Sequence, residues 1–188
     1  MEPATVVPPL LLAMAALGGF DTLVNHEARA RLPQWPGAAP ELRLHAMRSA
    51  LYAALFAGHA AGDWSGQAAA LPLALLALEI AVTTRDTVIE FRLRPIRALE
   101  RVNHLALLLV TGALALALTL SFARGAGGFE PAALAGVRAW LAAAAALALA
   151  SALRDALAAR RRTRLDGPPA PDRAASPTPR GTAGAAPR

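Results

Sequence analysis

The chain has no cysteine, no lysine and a single tyrosine. Without cysteine there is no disulfide and no thiolate ligand, so a bound metal would have to be held by oxygen and nitrogen donors. Without lysine, all 19 basic positions are arginine, which together with the alanine runs points to a bacterial genome rich in G and C. That inference is compositional rather than physical. Charge and aromatic content are also low, at 17% and 5%, against 55% hydrophobic residues and a mean hydropathy of +0.39. A soluble domain of 188 residues would have too little polar surface on these terms, so the class is integral membrane, all-α and polytopic. The net charge of +6 is no argument for nucleic acid as a partner. The arginines flank apolar runs or lie in the tail, where membrane orientation and anionic lipid account for them.

What is present is a series of apolar runs long enough to cross a bilayer. They predict a bundle over residues 1–157 with about five spans, at 6–24, 41–61, 68–85, 103–122 and 134–153. Pro33, Pro36, Gly37 and Pro40 break the chain after the first span, and Pro95 limits the helices on either side of it. An N-terminal signal peptide is the weaker alternative for the first span, because the residues before it hold Glu2 and no arginine. Residues 158–165 are a basic juxtamembrane segment. The Pro, Ala, Gly, Ser and Thr of 166–188 cannot bury enough apolar surface to offset ordering, so disorder is expected there. Arginines crowd the loops after spans one and three and the C-terminus, and are sparse in the other connections. The positive-inside rule then sets the N-terminus outside and the C-terminus in the cytoplasm, in a bacterial inner membrane.

Polar residues interrupt these spans in an ordered way. Glu79, Thr83, Asp86 and Glu90 recur at i, i+4, i+7 and i+11, and Glu41, His45, Arg48 and Tyr52 repeat that spacing earlier in the chain. Glu100 and His104 add an i, i+4 pair, and His26–Glu27 follow the first span. Each set lies on one helix face. The topology puts most of these groups near the cytoplasmic side, with Asp21 and Glu79 a turn or two deeper. A carboxylate at membrane depth costs about 2.5–3.5 kcal/mol on insertion scales, so Glu79 needs a partner, a proton or a task. The plain alternative for it is a salt bridge, for instance to Arg48. For Glu41, Glu90 and Glu100 the plain alternative is a solvated surface acid, and an i, i+4 acid–histidine pair is also an ordinary helix-surface contact.

Carboxylates and imidazoles from four consecutive helices are the donors with which a bundle holds one or two first-row metal ions, and iron or manganese suits the set. The candidate ligands are His26, Glu27, Glu41, His45, Glu79, Asp86, Glu100 and His104, with Arg48 to balance charge and Tyr52 to line the apolar entrance of a membrane-soluble molecule. A b-type haem between His45 and His104 would leave the acids unexplained. His59 stands 14 residues beyond His45, about 21 Å along the helix, and belongs to the other face.

The run Phe20-Asp21-Thr22-Leu23, His26-Glu27, Leu32-Pro33, Glu41-Leu42-Arg43-Leu44-His45 and Glu100-Arg101-x-x-His104 resembles a group of uncharacterised bacterial polytopic membrane proteins. The resemblance covers residues 18–112 and implies that these positions act as a set, without naming a reaction. The expectation is a metal-dependent redox enzyme acting on a lipidic or quinone-like substrate. The alternatives are a proton- or cation-coupled transporter, with Glu79 and Asp86 as carriers, and a non-catalytic subunit that binds partner helices.

Overall fold

The computed structural model describes residues 3–62, 64, 68, 70–124 and 136–167. These form α1 (Pro3–Phe20), a π-helical continuation of it (Asp21–Ala30), a short 3-10 turn (Leu32–Gln34), α2 (Ala39–Ala61), α3 (Ala70–Leu93), α4 (Ala98–Ala123) and α5 (Arg138–Asp166). There is no strand among the described residues. The tail 166–188, expected to be disordered, lies outside them from residue 168 on.

Successive helices run antiparallel, and contacts between distant segments tie one end of the bundle together. Arg43 donates to Thr163 Oγ1 at 2.8 Å, Arg162 Nε donates to Pro33 O at 2.8 Å, and the Gly37 amide donates to Asp166 Oδ2 at 3.0 Å. Gly37 has φ of 77°, a conformation glycine adopts without the strain a side chain would bring. The packing is led by α2 against α5, α1 against α4 and α2 against α3.

Along its axis the bundle divides in two. One half is apolar: Val7, Leu11 and Met14 of α1 meet Leu55 and Phe56 of α2, Leu76 of α3, Leu114 and Leu118 of α4 and Leu141 of α5. The other half is polar, with its charged groups mostly buried. Meanwhile large apolar side chains face outward, among them Leu109 at 65%, Phe91 at 61% and Leu147 at 73% exposure. Charge inside and hydrocarbon outside is the reverse of a water-soluble helix bundle and is consistent with a multi-pass membrane protein.

Three helices are long and apolar enough to cross a membrane: Thr5–Ala30, Ala98–Ala123 and Arg138–Asp166. α2 and α3 have the length, at 23 and 24 residues, but carry the polar stripes that lower their hydropathy. Several boundaries differ from the expected spans; α3 runs on to Leu93 and α4 starts at Ala98. Helical winding does not stop at residue 24 but runs to Ala30, where Arg31 at φ 49° closes it with its amide on His26 O. α5 likewise continues from Arg138 through the basic run to Asp166, 29 residues or about 43 Å, because α2 and the 3-10 turn pack along it.

Candidate metal centre

The polar half is assembled from four helix ends at one level. α1 and its π continuation bring Asp21, Asn25 and His26; α2 brings Glu41, His45 and Arg48; α3 brings Asp86 and Glu90; α4 brings Glu100 and His104. On α2 and α3 the α-helical repeat suffices, since Glu41, His45, Arg48 and Tyr52, and Glu79, Asp86 and Glu90, are all buried. The first helix needs different winding. At about 100° per residue, Asp21 and His26 would diverge by roughly 140° on an α-helix. The π turn, with its i to i+5 bonding, brings His26 Nε2 to 3.2 Å from Asp21 Oδ2. In the turn before the winding changes, Asn103 Nδ2 donates to Leu17 O at 3.4 Å.

Two sets of four donors result. His26, Glu90, Glu100 and His104 each offer an atom within 4.8 Å of the others, and so do His26, Glu41, His45 and Glu90. His26 and Glu90 belong to both. Asp21 sits behind the His104 ring, its Oδ1 3.2 Å from Nε2 while Nδ1 faces Glu90, whereas Asp86 Oδ2 lies 3.1 Å from His45 Nε2, the same nitrogen that faces Glu90 Oε1. Two guanidiniums close the ends. Arg48 donates to Asp21 Oδ2 at 2.8 Å and lies 3.6 Å from Asp86. Arg94, just after α3, donates to Glu41 Oε1 at 2.9 and 3.1 Å and to Glu100 at 2.6 and 3.0 Å. Burial works against the charge on Arg94, but the hydrogen bonds to Glu100 and Glu41 outweigh it and hold its pKa above the usual guanidinium value.

The cluster is over-supplied with acceptors. Glu90 Oε1 and Oε2, Glu41 Oε2 and both oxygens of Asp86 are buried without a hydrogen bond. Five carboxylates, Asp21, Glu41, Asp86, Glu90 and Glu100, face two guanidiniums, a formal sum of −3 with neutral imidazoles. Protons on all three histidines would cancel that number. They would also set two imidazolium rings at a centroid distance of 4.0 Å, between His26 and His45, with a third 6.2 Å from His26. Like charges that close oppose each other. Divalent cations answer both the charge and the bare oxygens, and the imidazole–carboxylate donor chemistry fits them.

Of the residues expected at the site, His26, Glu41, His45, Glu100 and His104 come together as donors, and Asp86 lies against His45 Nε2 beside Glu90. Glu27 does not join them. It turns outward and meets Arg154 at 3.2 Å, since i+1 on a helix leaves the face that His26 occupies. Glu79 also stays apart, accepting from Tyr52 Oη and Thr83 Oγ1, each at 2.8 Å, while Arg48 is engaged by Asp21 and Asp86. Tyr52 is 7% exposed and packs into the apolar core rather than lining an entrance. His59 sits at the far end, its Nδ1 2.8 Å from Leu55 O and its ring edge-on to Trp64.

Glu90, Asp21 and Arg94 were undervalued in the sequence. Glu90 lies on the α3 stripe four residues after Asp86, which was the available signal. Asp21 needs the π turn to reach its partners. Arg94 reads only as one more arginine in a basic loop. A small cleft, lined by Asn25, Arg29, Trp35, Arg94, Arg97 and Glu100 among others, opens beside Glu100. No protein-family model, curated protein or solved structure matches this chain.

Proposed function

We propose that this is a five-span membrane protein of the bacterial inner membrane, N-terminus outside, whose buried cluster holds two metal ions and carries out redox chemistry on a lipidic substrate. The observation that carries the proposal is Glu90: both its oxygens are buried without a hydrogen bond, and it belongs to both donor sets. Glu90 and His26, common to both sets, would hold metal together with Glu41 and His45 in one set and Glu100 and His104 in the other.

Iron or manganese suits these donors and would supply one-electron chemistry. The chain's own residues do the rest. Asp21 would orient the imidazole of His104 and raise its basicity as a ligand, and Asp86, beside Glu90 at His45 Nε2, would offer a further carboxylate. Arg48 and Arg94 offset part of the carboxylate charge from opposite ends of the cluster, and the apolar half of the bundle keeps water from one side. The orientation rests on the arginines gathered at the cluster's end of the bundle. The resemblance noted in the sequence supports treating the same positions as a set.

Metal analysis and the visible spectrum of detergent-purified protein test this reading. About two equivalents of iron or manganese per chain, released by Glu90→Gln, are expected. Wild-type protein that neither contains nor takes up a transition metal would remove the enzyme and leave the transporter or partner-binding alternatives.

A further inference from the structure

The cleft beside Glu100 has chemistry of its own. Two of its arginines, Arg29 and Arg97, are exposed and form no ion pair or hydrogen bond among the described residues, unlike Arg94 at its floor. With Arg94 and Glu100 counted, the lining carries three positive charges and one negative. Trp35, 39% exposed, adds an aromatic wall. In the same lining Asn25 is 2% exposed, its Nδ2 donating to Asp21 Oδ1 at 2.9 Å while its Oδ1 has no partner.

The guanidiniums specify an anion with several acceptor oxygens. We propose that the cleft binds a phosphate group. Guanidiniums match phosphate oxygens in a planar, paired geometry. The group would arrive either on an anionic phospholipid, for which Trp35 at the membrane surface is suited, or on a soluble phosphate compound. Glu100 lines the cleft and belongs to one donor set, so a phosphate bound there holds the remainder of its molecule against the cluster. That last step rests on the metal-centre reading; phosphate binding itself does not.

The test uses the full chain with Trp64→Phe and Trp140→Phe, so that Trp35 alone reports by fluorescence, reconstituted in nanodiscs. In phosphatidylcholine discs, inorganic phosphate is titrated against chloride at matched ionic strength. In a second arm, phosphatidylglycerol replaces phosphatidylcholine without added phosphate. A saturable response in the first arm assigns a soluble source, in the second a lipid headgroup, and either supports the proposal. Arg29→Ala with Arg97→Ala should weaken that response about tenfold or more, as loss of two charge-assisted contacts implies, while Arg92→Ala should leave it unchanged. No response above chloride in the first arm together with none in the second overturns the proposal, and so does an unaltered response in the double variant. Metal content measured on the same samples separates the two readings: phosphate binding without metal removes only the metal centre, and metal without phosphate binding removes only the cleft.

Discussion

Glu90→Gln separates a metal centre from a structural ion-pair network by the sign of its effect. Glu90 lies 3.6 Å from Arg94 Nη2, 3.8 Å from His45 Nε2 and 3.6 Å from His104 Nδ1, and makes no hydrogen bond with any of them. Were the cluster held together by ion pairs alone, removing a buried partner would cost about 3–5 kcal/mol. In a metal site the metal-free protein behaves differently. The cluster's formal charge falls from −3 to −2 on losing one of its five carboxylates, so the apo variant should remain within about 1 kcal/mol of wild type or gain stability. The loss should appear only with metal. At a free ion concentration a hundred times the dissociation constant, binding stabilises the wild type by about 2.7 kcal/mol. If the variant binds tenfold more weakly the same concentration gives about 1.4 kcal/mol, and if a hundredfold about 0.4 kcal/mol. Unfolding of chelator-treated protein in detergent, with and without added Fe(II) or Mn(II), reads both quantities. An apo variant about 3–5 kcal/mol less stable, beside a wild type that metal leaves unchanged, would refute the reasoning.

Replacing His45 or His104 with Ala should abolish stoichiometric metal while membrane insertion persists, whereas His59→Ala should retain metal; equal metal loss in all three, by elemental analysis, would contradict the site's placement. Single cysteines at Gln34 and Arg97 should react only from the cytoplasm and one at Ser65 only from outside in intact cells, and labelling of the first two from opposite sides ends the five-span topology. Tyr52→Phe removes the hydroxyl that donates to Glu79 and should cost about 1–3 kcal/mol in unfolding experiments with metal content unchanged; a cost under about 0.5 kcal/mol would show that the contact does not matter. Deleting residues 168–188 should leave insertion and metal content as they are, and loss of either would show that the tail makes packed contacts.

The sequence by itself determined the helical class, the apolar runs and which faces of two helices turn inward. Those follow from local rules: a fixed 3.6-residue repeat aligns Glu41, His45, Arg48 and Tyr52, and likewise Glu79, Asp86 and Glu90, whatever surrounds them. Burial and partnership do not follow from a repeat. Glu79 and Glu90 share one stripe, yet the first is bonded by Tyr52 and Thr83 while the second sits bare between two donor sets, because α2 presents a hydroxyl at one height and an imidazole at the other. Glu27 and His26 are sequence neighbours separated by a helix's turn, one meeting Arg154 and the other the cluster. The π winding that aims Asp21 and His26 at each other has no signature in composition or spacing. It packs against α4, whose Asn103 donates to Leu17 O in the turn before the winding changes, and only the assembled bundle contains that contact.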